Sequence, residues 1–243
     1  MPAAEGAGPR TAPASAQTTA IRQKVELRFE KGEAARFISH LDLVRAFQRA
    51  LRRAQLPVRL TAGFNPRPRI VFPTALEAGT ASLAEVAELE LSQWIPLNEI
   101  HQRLTRSLPP GLVLNSVREL PPRRQARQPT RLRYRVRLEG MRLTEDSLAQ
   151  LLAAPALPFR RAIRPGRESK PRSVDLRPSL LHTALDAAGD LLLDLRPQPQ
   201  CTARPLELLS LLTGKPLEQL RHIRVIKLEM DLAAYPAEAE RPL

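Results

Sequence analysis

Two hydrophobic periods alternate along this chain, and their order restricts the fold more than any other feature. Val25, Leu27 and Phe29 alternate with Lys24, Glu26, Arg28 and Glu30, the two-residue period of a strand with one buried face. Gly32 then marks a turn, and Ser39-His40-Leu41-Asp42 opens a helix, with Ser39 as N-cap and Asp42 placed to complete a capping box. Leu41, Val44, Phe47, Leu51 and Ala54 supply a helical stripe that Pro57 ends. Strand patterns follow at Val58–Thr61, Arg69–Phe72 and Val86–Leu91. Pro96–Leu108 reads as a second helix and Leu112–Val117 as a closing strand.

The order is β-α-β-β-α-β, and it recurs. Leu132, Tyr134, Val136 and Leu138 form an alternating strand, and Thr144 caps a helix to Ala153. Phe159–Arg164 and Leu191–Leu195 are strand candidates, Leu206–Leu212 is a helix stopped by Gly214, and Ile223–Leu232 closes the set; Gly166–Leu185 has no clear pattern. The expected fold is α+β, two tandem ferredoxin-like halves over residues 23–120 and 131–234. A Pro- and Arg-rich linker at 121–130 joins them. The segments 1–22 and 235–243 hold too few large apolar residues for a core and are expected to be disordered tails.

Charge narrows the partner. The chain has 38 Lys and Arg against 25 Asp and Glu, a formal charge of +13, and the basic residues are mostly arginine. The planar guanidinium fork matches phosphate and carboxylate, so the excess points to a polyanion, most simply RNA. Arg45, Arg49, Arg52 and Arg53 lie on the helix face opposite the apolar stripe, and between Arg36 and Arg69 Asp42 is the one acid. Gly63-Phe64-Asn65-Pro66-Arg67-Pro68 is a stiff loop that offers Phe64 for stacking beside Arg67 and Arg69. Arg133, Arg135 and Arg137 line one strand face, and Lys170 belongs to a second basic segment with Arg160, Arg161, Arg164, Arg167 and Arg172. Glu77, Glu85, Glu88, Glu90 and Glu99, with no Lys or Arg among them, predict an acidic face elsewhere.

Cys201 is the only cysteine, so no disulfide or cysteine-built metal centre can form within the chain. Nothing spaces His40, His101, His182 and His222 as metal ligands, and no metal or cofactor is expected. No apolar run reaches the ~20 residues of a membrane span, so a cytoplasmic location is expected. His40 is the one weak catalytic candidate, because no nucleophile or carboxylate stands at a partnering distance in sequence.

The runs Arg36-Phe37-Ile38-Ser39-His40-Leu41-Asp42-Leu43, Gly63 to Pro68, Pro73 to Leu91, and Lys170-Pro171-Arg172-Ser173-Val174-Asp175 resemble the radical-SAM-linked family. That resemblance covers most of the chain outside its tails. It implies a domain without an established reaction, found beside or fused to radical S-adenosylmethionine (SAM) proteins. Many members of that family carry His in an Asn-Pro-His-Pro run, where this chain has Arg67. The chain lacks the Cys-x-x-x-Cys-x-x-Cys triplet of the radical enzyme, which makes the enzyme a partner rather than this chain. Three functions are open at this point. One is a non-catalytic companion of a radical SAM protein that binds and presents RNA. A second is a metal-independent endoribonuclease resembling the CRISPR repeat-cleaving enzymes. The third is a scaffold that docks protein.

Overall fold

The computed structural model describes residues 21–62, 64–121, 126–161, 172–199 and 201–234. The tail expectations for 1–20 and 235–243, and Lys170, lie outside the described residues. The chain is mixed α/β, with one large mixed sheet and five helices.

The first half runs β1 (Gln23–Lys31), α1 (His40–Arg53), β2 (Ile70–Val71), β3 (Thr80–Leu91), α2 (Leu97–Ser107) and β4 (Leu112–Leu120). Its strands stand in the order β4-β1-β3-β2, every pair antiparallel. The second half runs β5 (Pro129–Val136), α3 (Glu145–Ala153), β6 (Pro158–Arg161), β7 (Arg172–Asp175), β8 (Leu180–Leu185), β9 (Leu191–Leu195), α4 (Pro205–Thr213), α5 (Leu217–Leu220) and β10 (Val225–Leu232). There β10-β5-β9-β8 is again antiparallel throughout.

Two expectations need correction. The halves do not hold separate sheets. β3 pairs in parallel with β10 through Thr80↔Val225, Ala81↔Ile226 and Ser82↔Lys227, and one sheet crosses both halves. The strand read at Phe159–Arg164 is β6, which leaves the main sheet to form its own hairpin with β7. Its place beside β9 is taken by β8, inside the stretch that had no clear pattern.

Local chemistry explains the helices. The Asp42 N–H donates to Ser39 Oγ at 3.2 Å, as the N-cap reading requires. Thr144 caps α3 in the same way from Ser147, and Gly214 closes α4 at φ +68°. The apolar stripe of α1 is rotated from the expected one. Leu43, Ala46, Phe47, Ala50, Leu51 and Ala54 are buried, whereas Leu41 is exposed. Ala46 and Ala50 join Leu43 on the buried face, and Leu41 falls outside it. At the α2–β4 turn Gly111 has φ +86°, and a Cβ there would lie 2.9 Å from the Ala35 Cβ.

Each half has its own core, around Phe29, Phe47, Leu89, Ile100 and Leu104 in the first and Val136, Leu148, Leu191, Leu193 and Leu208 in the second. Val86, Leu132 and Met230 form a small cluster between them. The described end of the 121–130 segment lies against the outer face of β1 and β3. There the Arg127 guanidinium meets the buried Glu26 carboxylate, and the Arg127 N–H donates to Glu88 Oε1 at 3.3 Å.

Candidate binding site between the two halves

The seam between β3 and β10 is short, and charge is buried in it. Ser82 is in register with Lys31 on one side and Lys227 on the other. A bulge in the β1–β3 ladder between Phe29 and Lys31 brings Glu85 to the same level. Glu85 and Lys227 form an ion pair, and all three charged groups are almost fully buried, at 2% for Glu85, 0% for Lys227 and 1% for Lys31. Lys31 Nζ donates to the carbonyls of Ile38 (3.0 Å) and Glu77 (3.4 Å). Burial pushes the Lys31 ammonium down to about 8, Glu85 pulls it up, and Lys227 lowers it further.

Above this floor lies a cavity of about 1,020 Å³. Its walls come from both halves: Ser39 and His40 at the start of α1, the Pro73–Thr80 connection, Leu132 and Tyr134 of β5, Arg161 of β6, and the 197–205 connection into α4. His40 packs edge-on against Phe72 with 5.5 Å between ring centroids, and its Nδ1 is buried without a hydrogen-bond partner. Burial lowers the His40 pKa, Glu85 raises it and Lys31 lowers it, so the ring is neutral at pH 7. Ser39 Oγ donates to Asp42 rather than to His40, and among the described residues no carboxylate or nucleophile is hydrogen-bonded to the imidazole. The cations of the wall are matched. Arg161 donates to Glu207 Oε1 and Oε2 at 2.7 and 2.8 Å, and Arg204 lies 2.5 Å from Glu77. Burial raises the Glu77 pKa against the pull of Arg204, and burial also pushes the Tyr134 phenol well above its ordinary range, with Glu85 and Glu77 adding to it.

The arginines read from the sequence divide into paired and unpaired. Arg133 holds Asp194 in two hydrogen bonds of 2.8 and 3.0 Å, Arg135 meets Asp186 at 3.1 Å, and Arg137 faces Asp190 at 3.9 Å. The β5 face is therefore already neutralised within the fold. Arg45 pairs with Asp42, Arg69 shares Glu90 with Arg59, and Arg53 donates to the Ser107 carbonyl. Arg49, Arg52 and Arg67 are exposed, and among the described residues their guanidinium groups have no partner. Phe64 projects fully exposed from the loop that carries Arg67.

The predicted acidic face is not formed. Glu85 and Glu88 are buried against Lys227 and Lys24, Glu90 pairs with Arg59 and Arg69, Glu77 with Arg204 and Glu99 with Arg103. Strand alternation sends Glu85 to the sheet face opposite Glu88 and Glu90, and basic residues distant in sequence meet all three there. The inter-half cavity was also absent from the sequence reading. Its walls are largely Pro-rich connections without a motif, and His40 is the one lining residue that the sequence offers as a catalytic candidate.

A mixed α/β chain with an open, charge-matched cavity and a helix that carries two unpaired arginines defines a class of fold and surface rather than a reaction. The chain belongs to the family described as "Uncharacterized protein conserved in bacteria" (DUF2344), whose model matches residues 24–205. A solved structure described as the crystal structure of an unknown protein from Galdieria sulphuraria is similar at 14% identity and a TM-score of 0.25, over 87% of this chain and 99% of that one. No curated protein matches the chain. No described helix is long and apolar enough to cross a membrane.

Proposed function

We propose that this protein is a non-catalytic, RNA-binding companion of a radical SAM protein, built from two ferredoxin-like units joined edge to edge. The repeated antiparallel order, β4-β1-β3-β2 in one half and β10-β5-β9-β8 in the other, supports the architecture, with β6–β7 as an insertion. The observation that carries the RNA reading is the unpaired state of Arg49 and Arg52 on α1 and of Arg67 in the loop that exposes Phe64. A fold that answers most of its described arginines with internal carboxylates has left these three to solvent, together with Arg22, Arg106, Arg142, Arg160, Arg172, Arg196 and Arg221. Unpaired guanidinium groups next to an exposed ring suit a single-stranded phosphate backbone with stacked bases. The partner rests on the resemblance of the Arg36–Leu43 and Gly63–Pro68 runs to the radical-SAM-linked family.

The test is filter binding of single-stranded RNA in rising salt, together with a tagged pull-down analysed for RNA and for protein. Binding with a steep salt slope and recovery of a radical SAM protein support the reading. Salt-insensitive RNA retention, or a pull-down holding protein alone, favours the docking scaffold. The ribonuclease alternative predicts cleavage in EDTA that His40→Ala abolishes. The absence of any described acid–base partner for His40 argues for intact RNA instead.

A further inference from the structure

The inter-half cavity and the arginine helix share one element. His40 opens α1 in the cavity wall, and Arg49 and Arg52 lie roughly 14–18 Å further along the same helix at 1.5 Å per residue. The two places differ in charge. Arg161 and Arg204, the cations of the cavity wall, are each held by a carboxylate, Glu207 and Glu77. A phosphate entering the cavity would have to break one of those pairs, whereas on α1 it meets unpaired guanidinium groups.

The unfilled hydrogen-bonding capacity of the cavity is neutral. His40 Nδ1 is buried without a partner, and Tyr134 and Thr80 add two hydroxyls to the lining. These groups come from three separate wall segments, α1, β5 and the start of β3. Between them the lining mixes apolar Pro73, Leu76, Pro129 and Leu132 with the neutral polar side chains of Thr74, Gln128, Gln198 and Thr202. A volume of about 1,020 Å³ has room for a nucleoside. A mixed lining of apolar side chains and scattered neutral donors and acceptors suits an uncharged, planar, polar ring. It suits neither a free anion nor an aliphatic chain.

Resting on the RNA reading above, we propose that the cavity takes one unstacked nucleobase of the RNA strand whose phosphates lie along α1. The bland alternative is a water-filled cleft between two packed units. Saturation-transfer NMR on the full chain separates them, with the common ribonucleosides as probes and ribose 5-phosphate as the base-free control. At least one nucleoside gives a saturable signal and ribose 5-phosphate gives none. Tyr134→Phe keeps the ring and its packing but removes the hydroxyl, and it weakens that nucleoside about fivefold with an unchanged thermal midpoint. Tyr134→Phe also leaves the salt slope of RNA binding unchanged, because no phosphate contact is lost. Equal signals from nucleosides and ribose 5-phosphate overturn the proposal in favour of a sugar site, a signal from ribose 5-phosphate alone overturns it in favour of an anion site, and no signal from either overturns it in favour of a water-filled cleft. An unchanged nucleoside affinity in Tyr134→Phe overturns the assignment of the phenol. RNA that binds with a steep salt slope while nucleosides fail sinks the base pocket alone. Nucleosides that bind while RNA fails sink the RNA reading and leave the pocket standing.

Discussion

Glu85 answers two buried ammonium groups, and its removal is the most damaging single change the seam offers. Lys31, Glu85 and Lys227 are each no more than 2% exposed, and Glu85 stands opposite a lysine from each half. Glu85→Gln leaves two like charges buried together and is expected to cost about 5 kcal/mol, the upper end for breaking a buried pair. Lys227→Met leaves Glu85 with Lys31 and is expected to cost about 3 kcal/mol, the lower end of the same range. The double variant Glu85→Gln with Lys227→Met removes one charge of each sign, and its cost falls short of the sum by about 2–3 kcal/mol. Urea unfolding followed by circular dichroism reads these as midpoint shifts at constant slope. If Glu85→Gln is too unstable to populate the folded state, Lys227→Met alone still tests the lower figure. Single costs under about 1 kcal/mol, or additivity within about 0.5 kcal/mol, would refute the view that this trio holds the seam.

Lys31 has a folded pKa of about 8 against an ordinary 10.5, so between those values the unfolded chain binds more protons and stability rises with pH. The rise amounts to about 3 kcal/mol and disappears in Lys31→Met, as measured by urea unfolding at stepped pH. The lowered pKa of His40 acts in the same direction at lower pH. Stability is lost as pH falls below the ordinary histidine value of 6.5, and His40→Gln flattens that limb of the profile. Gly111→Ala places a Cβ against Ala35 at φ +86° and is expected to cost about 1–3 kcal/mol, visible as a lower thermal midpoint.

Much of the first half was legible because its signals are local. The β1 alternation, the Ser39 cap and the α2 stripe each depend on residues within one turn or strand. The orientation of α1 was not, because alanines at positions 46 and 50 carry little hydrophobic weight in a sequence pattern yet lie on its buried face. The early part of β3, Thr80 to Ala84, was missed for the same reason: its small residues resemble a loop, and pairing with β1 and β10 makes it a strand. β8 hides because Leu180-Leu181-His182-Thr183 does not alternate, its ladder with β9 shifting register between Leu180 and His182. The arginines were visible as a set but not as partners. Whether Arg133 is free or bound to Asp194 is decided by the β5–β9 register, which no local pattern encodes.

The claim that α1 and the Phe64 loop carry an RNA surface reduces to one number, the slope of log binding constant against log salt for single-stranded RNA. Each phosphate contact contributes about 0.7 to that slope. Arg49→Ala, Arg52→Ala and Arg67→Ala combined should make it shallower by about 2, with the thermal midpoint unchanged because exposed charges add little to stability. The same slope in a folded triple variant would contradict the account.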